Sequence, residues 1–207
     1  MTAIPVLDHA AVLVFALTGA LAASRAQLDI VGFVFLACLT AVGGGTLRDL
    51  ALNRDTVFWV ADPGYVLLAS GAAVVVFFTA HLLESRYRAL LWCDACALAV
   101  AVPAGAGVAL AMDQPATVVL IMGVTTGCFG GLMRDVVCNE VPLVLKQGEL
   151  YVTCAFAGAG TALIVLALGA GQGAALGLCA VVTLALRAGS LAFGWRLPVY
   201  RARPPRN

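Results

Sequence analysis

Two copies of one short motif hold the residues with the most chemistry in this chain. Gly44-Gly45-x-x-Arg48-Asp49 recurs 86 positions later as Gly130-Gly131-x-x-Arg134-Asp135. A guanidinium beside a carboxylate, one helical turn beyond paired glycines, suits ion pairing or an ion pathway rather than bond making. No nucleophile, general base or metal-ligand set accompanies either copy. The chain also lacks His-Glu-x-x-His, Gly-x-Ser-x-Gly, a P-loop and a dinucleotide fingerprint. Gly169-x-Gly171-x-Gly173 has no strand before it. Cys93 and Cys96 have C-x-x-C spacing but no second Cys/His pair, so small apolar residues at a helix end describe them better than a zinc or redox site. Catalysis is not expected, and no cofactor is implied.

The surroundings of the motif say where it works. Of 207 residues, 62% are hydrophobic and 11% charged, and the mean hydropathy is +1.01. A soluble domain carries about 25% charged residues, so a soluble enzyme is excluded, as are disorder, a disulfide scaffold and a coiled coil. A formal net charge of +1 gives no nucleic-acid footprint. A transmembrane helix needs about 20 apolar residues, and seven such spans can be placed, near 9–24, 30–52, 64–83, 94–112, 116–137, 149–168 and 174–193. Residues 1–10 hold no Lys or Arg to form a signal-peptide n-region, so the first span is expected to stay.

Alternate loops divide the basic residues unevenly. Arg48 and Arg54 fall on the side of the N-terminus; Arg25, Arg86, Arg88, Arg134, Lys146, Arg196, Arg201, Arg203 and Arg206 fall on the other. The positive-inside rule then puts the N-terminus outside and the C-terminal tail in the cytoplasm. Lys146 and Arg187 are candidate gating contacts, although Lys146 also serves as a topology signal and Arg187 is expected to snorkel to the cytoplasmic face.

The 86-residue offset extends beyond the motif, pairing Asp8 with Asp94, Gly19 with Gly105, Thr40 with Thr126, Asn53 with Asn139 and Tyr65 with Tyr151. Each unit (8–83 and 94–168) holds three spans. Three is odd, so the second unit crosses the membrane in the opposite sense. The reading is an all-α, single membrane domain: an inverted 3+3 repeat, a seventh helix over 174–193 and a basic tail over 194–207. Inverted repeats mark transport folds, whose sites lie near the midplane where interrupted helices expose backbone groups. The matched interruptions here are Gly43, Gly44 and Gly45 in the second span and Gly127, Gly130 and Gly131 in the fifth. A kink or broken turn is therefore expected at each, with close helix packing as the plainer reading of glycine in membranes. Thr40 and Thr126 precede the glycines by one turn. Their hydroxyls either line a narrow passage or bond back to their own helix. Arg48, Asp49, Arg134 and Asp135 either latch helices together or line the two mouths of a polar pathway, and the readings are compatible. Since neighbouring helix positions point about 100° apart, each Arg is expected to pair with another helix or the other repeat rather than with its own Asp.

These residues resemble the prokaryotic branch of the trimeric intracellular cation channels, a group also known as a bacterial "glycine transporter" domain family. The resemblance is carried by Gly43-Gly44-Gly45-Thr46-Leu47-Arg48-Asp49, Phe58-Trp59 and Asp62-Pro63 in the first unit. Gly130-Gly131-x-x-Arg134-Asp135, Glu140-Val141-Pro142 and Glu149-Leu150-Tyr151 carry it in the second. It implies a homotrimer among membrane lipids in a bacterial or archaeal plasma membrane. Each protomer would pass potassium or sodium along an hourglass pathway bounded by kinked second and fifth helices. Animal members of the family bind a phosphoinositide through a basic pair on the fourth helix. Residues 94–112 hold no Lys or Arg, so that dependence is not expected here. A secondary carrier for a small solute such as glycine is the alternative.

Overall fold

Long apolar segments in lipid must close every backbone hydrogen bond within the segment, which leaves the helix as the available form. The computed structural model describes residues 3–83 and 85–198. Its helices are α1 (Ala3–Arg25), α2 (Ile30–Ala51), the single-turn α3 (Phe58–Ala61), α4 (Gly64–Thr79), α5 (Arg86–Ala111), α6 (Ala116–Val137), α7 (Val152–Ala167) and α8 (Gln172–Phe193). Short 3-10 turns sit at Ala80–Leu82 and Leu143–Leu145. No strand occurs among the described residues, only an isolated bridge between Glu149 and Arg196. Six helices are long and apolar enough to cross a membrane, with α4 continuing to Leu82, and α7 is a shorter apolar helix. At 1.5 Å per residue α7 reaches about 24 Å. The fold is the expected bundle of seven apolar helices, with α3 as an extra turn inside the 53–63 segment. The tail residues Arg201, Arg203 and Arg206 lie outside the described residues.

The repeat is written into the turns. Gln27 after α1 and Asp113 after α5 have φ 55° and 52°, and Asn53 after α2 and Asn139 after α6 have φ 50° and 53°. Each pair is 86 residues apart. A single left-handed residue ends the helix and lets the chain reverse, and Asn and Asp tolerate that conformation best among residues with a Cβ. Because three helices separate equivalent points, α1 and α5 run in opposite senses. So do α2 and α6. The starts of α1 and α5 consequently lie at opposite ends of the bundle, called here the first face (start of α1, segment 52–63) and the second face (segments 26–29 and 138–151).

Small residues make the core. α1 packs along α5, and Ala16, Ala20 and Ala23 of the one and Ala97, Ala101 and Ala104 of the other are all buried. Between membrane helices lipid supplies no hydrophobic drive, and small side chains let backbones approach closely enough for van der Waals packing to hold them. Gly19 and Gly105 are equivalent in the contacts of α1 with α2 and of α5 with α6. A Cβ on Gly19 would stand 2.7 Å from the Leu36 carbonyl, and one on Gly105 would collide with the Met122 carbonyl.

The fourth spanning helix starts eight residues before position 94. Ser85 caps it, its Oγ accepting the Arg88 N–H at 3.3 Å. Arg86 and Arg88 thus belong to its first turn, so the absence of basic residues over 94–112 does not describe the whole helix.

Candidate functional site: two mirrored arginine clusters

Arg48, Arg134 and Arg187 are the largest fully buried side chains among the described residues. A buried guanidinium is stable only with its charge answered and its donors filled. Arg48 Nη1 donates to Asp8 Oδ1 on α1 at 2.9 Å, and Nε donates to Asp49 Oδ1 at 2.7 Å. Asp49 Oδ2 accepts the Phe58 N–H at 2.8 Å, fixing the start of α3. The second repeat copies this group by group. Arg134 Nη1 donates to Asp94 Oδ1 on α5 at 2.9 Å and Nε to Asp135 Oδ1 at 2.8 Å, while Asp135 Oδ2 accepts the Leu143 N–H at 2.8 Å. In both clusters Nη2 has no partner.

Each arginine therefore binds its own neighbouring Asp, contrary to the 100° argument, and also pairs with another helix as expected, that second carboxylate coming from the same repeat. The guanidinium is a long planar fork with five donors. It turns back to Asp49 or Asp135 with Nε while Nη1 reaches across to the preceding helix. Asp8 and Asp94 are full members of the site, which the motif alone does not reveal. Their membership was readable in their spacing, because both stand 40 residues before their arginine.

Between the clusters α2 and α6 cross at the glycines. A Cβ on Gly44 would collide with the Thr126 carbonyl oxygen, and one on Gly130 with the Thr40 carbonyl oxygen. Both helices run unbroken through their glycines, so the expected broken turn is absent and no half-helix carbonyl ends are exposed. Backbone contact explains the glycines instead. The others in each run serve different neighbours: Gly43 faces the Met133 methyl, Gly45 the Phe58 ring and Gly131 the Tyr151 hydroxyl. Gly127 would set a Cβ 2.7 Å from Val102 Cγ2. Thr40 and Thr126 are buried, and their hydroxyls bond back to the carbonyls of Leu36 at 2.6 Å and Met122 at 2.7 Å.

Access differs between the two ends. On the first face a vestibule of about 420 Å³ leads to Asp8 and is lined by His9, Arg54, Phe58, Asp62 and Tyr65. Beyond Phe58 lies a void of about 10 Å³ beside Gly44, Gly45 and Thr126, at the lower limit for a single water. On the second face the cluster is sealed. The Arg134 and Asp94 side chains are 0% exposed, and Tyr151 covers them, its hydroxyl without a partner. The bundle is accessible at Asp8, closely packed at the glycine crossing and closed over Arg134.

The cover on the second face is clasped from several helices. Lys146 Nζ donates to Tyr87 Oη at 2.7 Å, and Arg25, lying over the Tyr87 ring, binds Glu140 at 3.0 Å. Arg187 does not snorkel. It is fully buried, donates to Glu149 and to the Leu150 carbonyl at 3.2 Å, and stacks over Tyr151 at 4.9 Å. The reason is that Glu149 and Leu150 bring acceptors to it inside the bundle. Gly148 O accepts from the Leu197 N–H at 2.9 Å, tying the start of the tail to the same loop. Replacing Arg187 with leucine removes charge-assisted bonds each worth about 1.5–3 kcal/mol. Amide hydrogen exchange over residues 146–151 should then rise about tenfold or more. Unchanged exchange would mean that Asp135 and Lys146 hold the loop alone.

Among the described residues no group of His, Cys, Asp and Glu is placed to hold a metal ion, and all seven cysteines are free. Burial and the nearby Glu140 carboxylate push the Cys138 thiol above its ordinary pKa, which lowers its reactivity.

Comparison with known proteins places this architecture. A family model described as "Glycine transporter" matches twice, over residues 5–81 and 91–167, once on each repeat. The trimeric intracellular cation channel orthologue from Rhodobacter sphaeroides superposes with a TM-score of 0.90 at 44% identity, covering 94% of this chain and 100% of that one. The chain belongs to the trimeric intracellular cation channel family. Its curated relatives include a UPF0126 membrane protein of Vibrio cholerae, 38% identical over 90% of this chain and 78% of that protein. The UPF0126 inner membrane protein YadS of Escherichia coli K12 is 34% identical over 94% of both. As a member of this family the chain is an integral membrane protein and not an enzyme.

Proposed function

We propose that this protein is a passive monovalent cation channel, potassium being the expected main ion, that works as a homotrimer with one pathway in each protomer. The observation that carries the reading is the matched pair of buried arginine–carboxylate clusters, one at each end of the two crossing glycine helices. Ionisable groups inside a membrane bundle are costly and usually mark a polar path. Here they sit on the two helices whose contact closes the protomer. Gly43–Gly45, Gly127, Gly130 and Gly131, with Thr40 and Thr126, form the constriction; Arg48, Asp49, Arg134 and Asp135, joined by Asp8 and Asp94, form the two mouths. Conduction requires α2 and α6 to part at the glycines and the Tyr151 cover to lift, with Lys146 and Arg187 as the contacts that resist it. The trimer is carried over from the Rhodobacter relative. The apolar groove of about 730 Å³ between α2 and α6, lined by Leu39, Val42, Leu50, Met133 and Val136, offers lipid or a neighbouring protomer a surface. The excess of basic residues on the second face supports a cytoplasmic second face and an external N-terminus, in the inner membrane as for YadS.

Purified protein in a planar bilayer under a potassium gradient should give discrete currents that reverse near the potassium potential. Absence of current together with saturable glycine uptake into vesicles would replace the channel by a carrier.

A further inference from the structure

The two ion-paired arginine clusters differ by one charge, and a single pair of repeat mates makes the difference. Arg54 and Glu140 stand 86 residues apart. Each follows a left-handed asparagine, and each donates its backbone N–H to the aspartate of its own motif: Arg54 to the Asp49 carbonyl at 3.0 Å, Glu140 to the Asp135 carbonyl at 2.9 Å. The two side chains thus leave the backbone at equivalent points with opposite charge. Arg54 Nη1 reaches Asp49 Oδ1 at 3.2 Å and joins the first cluster, where Asp8 and Asp49 now face Arg48 and Arg54 and the charges balance. Glu140 turns away to Arg25 at 3.0 Å. Asp94 and Asp135 are left facing Arg134 alone, one negative charge in excess, with Asp94 Oδ2 unpartnered.

Arg54 is also placed to act on an ion. It lines the vestibule opposite Asp8 and Asp62, and its side chain is 36% exposed while Asp49 beneath it is fully buried. A fixed charge in a cleft with low-dielectric walls changes the local concentration of mobile ions.

Resting on the channel reading above, we propose that Arg54 sets the entry rate of cations from the first face. It acts as the positive charge that partly cancels the carboxylates of Asp8, Asp49 and Asp62 at this mouth. Cations entering at the first face meet a vestibule whose carboxylates are partly cancelled.

The test is single-channel recording of the full-length protein and of R54Q, R54K and R54E. In about 0.01 M potassium chloride, where charges act across about 30 Å, R54Q should raise the current flowing from the first face by about twofold or more. R54E should raise it further and R54K should match the wild type. In about 1 M salt, where the range falls to about 3 Å, the four proteins should converge. R54K reports whether a cation at this position suffices, and R54E still reads the charge if R54Q folds poorly. A conducting wild type with R54Q and R54E currents unchanged at low salt overturns the inference and leaves the channel reading standing. A difference that persists undiminished in 1 M salt also overturns it, since a structural change would do that. A wild type without current overturns both.

Discussion

Replacing Arg134 with methionine is expected to destabilise the protein by about 3–5 kcal/mol, the range for leaving buried charges without their partner. Two carboxylates, Asp94 and Asp135, would then face each other with side-chain exposures of 0% and 8% and no cation in reach. The equivalent change at Arg48 should cost clearly less, although the motif is the same. Arg54 still answers Asp49 there, and the vestibule brings water to Asp8, whose side chain is 11% exposed. Adding Asp94→Asn to Arg134→Met should recover part of the loss by removing one of the two stranded charges. Thermal unfolding of the purified protein in one detergent measures all three variants. Equal losses at positions 48 and 134 would show that solvent access does not distinguish the mouths.

The second large effect concerns a smaller change. Gly44→Ala and Gly130→Ala should each destabilise by about 1–3 kcal/mol, the usual cost of overpacking. The added methyl meets a backbone carbonyl of the crossing helix, and backbone cannot move aside as a flexible side chain does. Gly43→Ala should be milder because only the Met133 methyl must yield. Gly71→Ala and Gly160→Ala, with nothing within 4 Å of the new Cβ, should be neutral or gain up to about 1 kcal/mol from helix propensity. In recordings, alanine at 44 or 130 should also alter flux, since it holds α2 and α6 apart at the constriction. A Gly44→Ala protein as stable as Gly71→Ala would mean that the two backbones do not touch there.

Much of this was legible in the residues. Hydrophobic run lengths place the spans because lipid leaves the backbone no alternative to the helix. The 86-residue offset gives the inverted repeat, and it equates Asp8 with Asp94 and Tyr65 with Tyr151. Helix starts are less legible: α5 begins at Arg86 because Ser85 caps it, while charge in the first turn makes the hydropathy signal begin later. The glycine runs are ambiguous in one respect. A sequence shows that side chains are missing but not whether the space serves a kink or a neighbour, and the contact of Gly44 with Thr126 spans 82 residues.

Composition and periodicity alone thus determine a membrane bundle of two opposed three-helix units with paired Gly-Gly-x-x-Arg-Asp sites. What only the tertiary structure decides is which charge answers which, and which end is open. Arg48 and Arg134 occupy identical motifs, yet one cluster balances through Arg54 and meets a vestibule while the other is sealed under Tyr151. That difference arises from loop and α8 residues the motif does not contain. Burial and pairing of charge depend on everything packed within a few ångströms, and local sequence does not carry that information.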